Sequence, residues 1–159
     1  MAVTPDEFRA ALSRFPSGIT VVTSVDKSEK PHGLTVTAFC SVSLEPPLIL
    51  VCIEKITGSH TAILDSRKFV VNILGAGHEA LSRQFALPSG DKFVGVGVRR
   101  AGGGVPALDD AIVSLECSLR DAFDGGDHTI FVGEVDEVAI RDGEPLVYFH
   151  GNYRDLPGF

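Results

Sequence analysis

A chain of 159 residues, 44% hydrophobic and 22% charged, can bury a core without disulfides or a structural metal, and it reads as a single domain over 1–159. Its net charge of −7 disfavours nucleic acid and anionic membrane as partners, although backbone amides can still bind a small anionic cofactor. No apolar run approaches the roughly 20 residues of a membrane span, and MAVTPDEFRAAL lacks the basic-then-apolar pattern of a secretion signal, so a cytoplasmic location is expected.

Thr4-Pro5-Asp6-Glu7 opens a helix: Thr4 caps it, Pro5 suits the first helical position and Glu7 completes a capping box. Phe8, Leu12 and Phe15 share one face, and Pro16-Ser17-Gly18 ends the helix. Ile19 to Ser24 is a short β-branched strand, and Asp26 to His32 a polar turn. Leu34 to Leu44 alternates with period two. One face carries Leu34, Val36, Ala38, Cys40, Val42 and Leu44, the other Thr35, Thr37, Phe39, Ser41 and Ser43. The run is long for one strand, so a bend is expected. Glu45-Pro46-Pro47 turns into the apolar strand Leu48 to Ile53. Ser59 caps a short helix through Ile63 and Leu64, Lys68 to Leu74 is a strand, and Glu79 to Phe85 is a helix. Residues 88–106 are rich in glycine and read as a loop. Ile112 to Asp121, Thr129 to Ile140 and Leu146 to His150 are further strands, with turn signals at Gly125-Gly126-Asp127 and Asp142-Gly143. Strands that do not alternate with long helices disfavour a doubly wound sheet. They predict a mainly β fold, an antiparallel barrel with short peripheral helices.

Cys40, Cys52 and Cys117 are odd in number, widely spaced and without a CxxC, which argues against a disulfide framework and a zinc site. All three lie in apolar runs and are expected to be buried thiols. No GxGxxG, Walker loop, GxSxG or HExxH occurs, and the histidines have no metal spacing, so no metal is expected. Gly102-Gly103-Gly104 reads as a loop tip rather than a phosphate cradle. The hydroxyl face of Thr35, Thr37, Ser41 and Ser43 fits either a solvent-facing strand or the bed of a flat ligand. Lys55-Ile56-Thr57-Gly58-Ser59-His60 is either an ordinary helix start beside an exposed lysine or a phosphate site. His128, after Gly126-Asp127, is either an idle turn histidine or a ligand and proton-transfer group. His150 and Tyr153 either line the same cavity or only pack.

Together these pieces resemble the short-chain flavin reductases, the flavin reductase-like, FMN-binding split-barrel family that supplies the reductase component of two-component flavin monooxygenases. The markers are FPSGITVVTS (15–24), GLTVTAFCSVSLEPPLILVCI (33–53), FVVNIL (69–74), DKFVG (91–95), GGDHTIFVGEV (125–135) and PLVYFHGNY (145–153). The resemblance implies an antiparallel split β-barrel, a homodimer, and one flavin per subunit near the subunit interface. It implies an isoalloxazine ring held by Thr37, Ala38, Phe39, Cys40 and Ser41, largely through backbone atoms, with Ser43 and Leu44 nearby. Lys55, Ser59 and His60 would meet the flavin phosphate, and Gly90, Asp91, Lys92 and Phe93 would close over the cofactor. His128 would position the nicotinamide nucleotide, with Phe149, His150, Gly151 and Tyr153. The expected activity is reduction of FMN or FAD by NADH or NADPH, with reduced flavin passed to a partner monooxygenase. With the chain ending soon after Tyr153, the choice of nucleotide stays open. Alternatives on the same barrel are a tightly FMN-bound electron carrier or ferric reductase, and a non-catalytic flavin-binding module. A pyridoxamine phosphate oxidase is disfavoured, because only Arg99-Arg100 pairs arginines.

Overall fold

A computed structural model describes residues 2–154 and 156. The first helix, α1 (Pro5–Leu12), starts as its sequence dictates. Thr4 Oγ1 accepts the Glu7 amide at 3.2 Å, and Glu7 Oε2 accepts the Thr4 amide at 2.9 Å. No residue of α1 is buried, and Phe8, Leu12 and the following Phe15 are all exposed.

The strands β1 (Ser17–Gly18), β2 (Thr20–Val25), β3 (Pro31–Val36), β4 (Phe39–Ser43) and β5 (Leu48–Glu54) come next. Then α2 (Gly58–Ser66) leads into β6 (Lys68–Ile73), and α3 (Glu79–Phe85) precedes the strands β7 (Val98–Arg100) and β8 (Pro106–Leu108). Two long strands, β9 (Val113–Gly125) and β10 (His128–Ile140), and two short ones, β11 (Val147–Phe149) and β12 (Asn152–Arg154), follow. The fold is mainly β, as expected. No helix among the described residues is long and apolar enough to cross a membrane.

Seven strands form one antiparallel sheet in the order β3-β2-β6-β9-β10-β5-β4. Its edge strands, β3 and β4, are consecutive in the chain and joined only by Thr37 and Ala38. A flat seven-stranded sheet would hold its edges about 29 Å apart, at ~4.8 Å per strand. The link from Val36 to Phe39 reaches no more than about 10 Å. The sheet is therefore rolled so that the end of β3 comes close to the start of β4, and the Cys52 amide donates to the Ala38 carbonyl at 3.0 Å, extending the β4–β5 pairing into the link.

Rolling gives β2 two apolar environments. Val22 faces a core with Val51, Ile53, Phe69, Val71 and Phe131. Val21 faces a second core with Ile19, Leu74, Phe85 and Leu108, flanked by Phe93, Tyr148 and Tyr153. Every residue of β2 is buried as a result. Asn72, fully buried on β6, ties β2 to β8. Its Nδ2 donates to the Val21 carbonyl at 3.0 Å, and its Oδ1 accepts the Leu108 amide at 2.8 Å.

Four local expectations are corrected. Leu34 to Leu44 is two strands on opposite edges of the sheet. Its apolar alternation is half-buried or buried at Leu34 and Val36, but Ala38, Cys40, Val42 and Leu44 are exposed, Leu44 at 93%. Only Cys117 is buried: Cys52 is half-buried, and Cys40 is exposed on the edge strand β4. Residues 88–106 are not all loop, because β7 pairs with β8 and Gly102–Gly104 forms a 3₁₀ turn between them. A C-terminal hairpin, β11–β12, pairs with β1, although only its first strand is legible in the sequence.

Candidate functional site

One recess is a cleft of about 980 Å³, near the top of the range for small-molecule sites. One wall is the Lys30–Thr35 stretch with β3. The opposite wall is Glu54 and the turn Ile56–Ser59 opening α2, and the loop Ala86–Phe93 closes one side. The structure thus brings Ser59, Gly90, Asp91, Lys92 and Phe93 together from separate parts of the chain.

Thr57, not Ser59, caps α2. Its Oγ1 lies 3.3 Å from the His60 amide, and the helix starts at Gly58. Ser59 therefore sits inside the first turn, 4% exposed, and its hydroxyl makes no hydrogen bond among the described residues. The Gly58 and Ser59 amides belong to the set that a helix cannot satisfy internally. This end of α2 is an arrangement of donors with a positive helix dipole behind it.

Lys92 fastens the loop. Its Nζ donates to the carbonyls of Gly33 at 3.2 Å and Phe85 at 3.0 Å, and burial pushes its pKa down. Phe93 meets Phe85 edge-on, with centroids 5.0 Å apart, and its amide donates to Asp91 Oδ1 at 3.0 Å. Gly33 is required beneath them: a Cβ there would stand 2.6 Å from Phe85 Cε1.

A second neighbourhood lies past the same β5–α2 corner. Lys55 points to the β9–β10 turn, where its Nζ contacts Asp124 Oδ1 at 2.5 Å and the Gly126 carbonyl at 2.6 Å. His128, 41% exposed in its side chain, has Nδ1 2.7 Å from Asp127 Oδ1, and that hydrogen bond lowers the Asp127 pKa. His60 Nε2 is 2.8 Å from Thr129 Oγ1, and its ring tilts onto Phe131. Burial, aided by Lys55, holds the His60 pKa below its usual value. Lys55, His60 and His128 therefore gather at one hairpin tip, whereas Ser59 faces the cleft.

Thr37 and Ala38 form the exposed junction between β3 and β4. Phe39 packs against the barrel core; Cys40, Ser41 and Leu44 are exposed and Ser43 half-buried beside them. Phe149, His150, Gly151 and Tyr153 lie on the β11–β12 hairpin. The Tyr153 hydroxyl is 2.8 Å from Ser82 Oγ, the Arg83 guanidinium lies 4.9 Å over its ring, and the His150 amide donates to the Ser13 carbonyl. Among the described residues no hydrogen bond or ring contact joins His128 to that hairpin. Thr57 and Gly58, from the candidate phosphate stretch Lys55–His60, also line the cleft, and so does His32, to which the sequence assigned no role. The signal available for Thr57 was its place before a glycine that can begin a helix.

Residues 12–157 match the family described as flavin reductase like domain. The chain belongs to the flavin reductase-like family. It is 40% identical over 147 residues to the reductase component of a 4-nitrophenol 4-monooxygenase/4-nitrocatechol 2-monooxygenase from Rhodococcus opacus, covering 92% of this chain and 78% of that one. It is also 40% identical over 160 residues to an NADH-dependent flavin reductase from a Rhodococcus species, covering 97% and 88%. An NADH:FAD oxidoreductase from Streptomyces globisporus, solved in complex with NAD and FAD fragments, superposes with a TM-score of 0.90 at 35% identity, covering 98% of this chain and 96% of that one. The family match in this flavin reductase-like chain includes the cleft, the β3–β4 junction, the His128 hairpin tip and the β11–β12 hairpin.

Proposed function

We propose that this protein is an NAD(P)H:flavin oxidoreductase. It takes a hydride from a nicotinamide nucleotide, reduces FMN or FAD, and delivers reduced flavin to a partner monooxygenase. The observation that carries this reading is the cleft, where the α2 amides and the Ser59 hydroxyl stand opposite β3, the strand that runs into the Thr37–Ala38 junction.

The residues present fit a flavin. Ser59 is 4% exposed, lines the cleft and makes no side-chain hydrogen bond among the described residues, at a helix end suited to a phosphate. Thr37, Ala38, Cys40 and Ser41 offer small exposed side chains and edge-strand backbone to a flat ring. Gly90–Phe93 border the cleft and are held by Lys92. In this reading Lys55 and His60 act from behind the phosphate end, Lys55 by fixing the β9–β10 turn and His60 by fixing α2 against β10.

Bound flavin supplies the hydride acceptor. The chain aligns the two reactants, and alignment can remove roughly 7–11 kcal/mol of a bimolecular barrier. Backbone donors at the β3–β4 junction would hold the polar edge of the ring. His128, held by Asp127, orients the nucleotide and offsets its charge, with Phe149, His150, Gly151 and Tyr153 as the other wall. Within one chain these two walls are separate. That separation, with Phe8, Leu12, Val42, Leu44, Phe123, Val138 and Ile140 all exposed, supports a homodimer in which one copy's hairpin tip approaches its partner's site.

The test is anaerobic: NADH, excess free FMN and a trace of protein, following loss of the visible flavin band. Many flavins bleached per chain are expected. Bleaching limited to one flavin per chain would mean a tightly bound electron carrier. No bleaching with either nucleotide and either flavin would remove the reductase reading.

A further inference from the structure

We infer that His32, oriented by Asp26, is a further ligand of the flavin's phosphate, and this inference rests on the flavin reductase reading above. His32 lies on β3 in the cleft wall, with Nε2 3.0 Å from Asp26 Oδ2. Asp26 is itself held: its Oδ1 accepts the amides of Ser28 at 2.8 Å and Lys30 at 3.1 Å. The hydrogen bond from His32 lowers the Asp26 pKa despite partial burial, so Asp26 stays a carboxylate. A fixed carboxylate at Nε2 sets the ring's orientation and leaves Nδ1 on the opposite edge.

That edge faces α2. A Cβ on Gly58 would stand 2.8 Å from His32 Nδ1, so the imidazole lies against the first residue of the helix. Nδ1 makes no hydrogen bond among the described residues. Beside it, Ser59 is the independent sign of a ligand: a residue 4% exposed that lines the same cleft, with no side-chain hydrogen bond among the described residues. The Gly58 and Ser59 amides and the Ser59 hydroxyl can all donate here, and in the proposed site His32 donates from Nδ1 beside them, which is the chemistry of a phosphate site. The other charged groups of the cleft are Lys30, Glu54, Asp91 and Lys92, and the Lys92 ammonium is engaged by two carbonyls. The phosphate is assigned to the flavin because β3, which carries His32, runs directly into the Thr37–Ala38 junction proposed for the ring.

Flavin fluorescence titrations with FMN and with riboflavin, which lacks only the phosphate, test this on the wild type, His32→Gln and Asp26→Asn. The wild type should prefer FMN. His32→Gln should weaken FMN about tenfold and leave riboflavin within about twofold, and Asp26→Asn should lose part of the same preference. Riboflavin binding also reports that the variants are folded. Equal weakening of both flavins, or no change in either, overturns the assignment. So does a raised KM for NADH with unchanged FMN affinity, which would give these donors to the nicotinamide nucleotide. A wild type that binds riboflavin as well as FMN removes the phosphate site and leaves the reductase reading standing. A wild type that binds neither flavin removes both.

Discussion

The His128 side chain is 41% exposed at a hairpin tip, and among the described residues its one hydrogen bond is to its neighbour Asp127, so the side chain contributes little to the fold and is open to a ligand. His128→Ala should therefore raise the KM for NADH severalfold and leave FMN affinity nearly unchanged, read by steady-state kinetics beside flavin titration. Equal loss of both would put His128 at the flavin instead. The cysteines give a second residue-scale test. Burial pushes the Cys117 thiol up to about 12, and at pH 8 only about one molecule in ten thousand carries its thiolate. Burial also raises Cys52. Iodoacetamide should modify exposed Cys40 first, and FMN should slow that reaction if the ring lies on β4. Peptide mapping that finds Cys117 labelled in the native protein would contradict its burial. The apolar neighbours of Cys40 in the sequence were genuine, but they lie on an edge strand that no described residue covers on its outer face, and residue type carries no information about that.

At the scale of elements, α2 shows how local signals point to the right place and the wrong atom. Thr57 and Ser59 are both capping residues. The ladder of β5 with β10 runs to the Glu54–His128 pair, and Thr57 Oγ1 donates to the Glu54 carbonyl at 2.8 Å, so the chain turns early and Thr57 takes the cap. Removing the cap with Thr57→Ala should cost about 1 kcal/mol in urea unfolding. It should also weaken FMN, because the amides facing the cleft lose their fixed start. An unchanged midpoint would mean that packing of Ala62 and Ile63 alone holds the helix. The Leu34–Leu44 run carries the same lesson for strands. Period two was legible throughout, but the transfer from one sheet edge to the other at Thr37–Ala38 leaves no local mark, because either half is a good strand by itself.

For the molecule as a whole, Asn72 joins β2 to β8 beside the second core. Asn72→Leu would leave the Leu108 amide, and the Ser114 hydroxyl 3.3 Å away, without their shared acceptor. We expect a loss of ~1–3 kcal/mol of stability from the unpaired buried groups, with flavin affinity retained in the folded fraction. A stability within error of wild type would mean that water or a shift of β8 replaces the side chain. The exposed apolar residues on α1, β4 and β10 belong to this scale also, since their cover is supplied by no element described in one chain.

The sequence by itself determined the capping box of α1, the positions of β2, β5, β6, β9 and β10, the α3 boundaries and the mainly β class. These follow from short-range chemistry: side-chain caps, period-two alternation and turn residues act over a few positions. Family markers in the same stretches carried the reading as a flavin reductase. Only the tertiary structure decided which candidates share a site. Rolling the sheet sets β3 opposite the start of α2 and brings the loop from Ala86 to Phe93 against both. That places His32, Ser59 and Lys92 around one cleft, and turns Lys55 and His60 towards the His128 hairpin. Such neighbourhoods arise from strand order and long-range packing, and no window of the sequence contains both halves of either one.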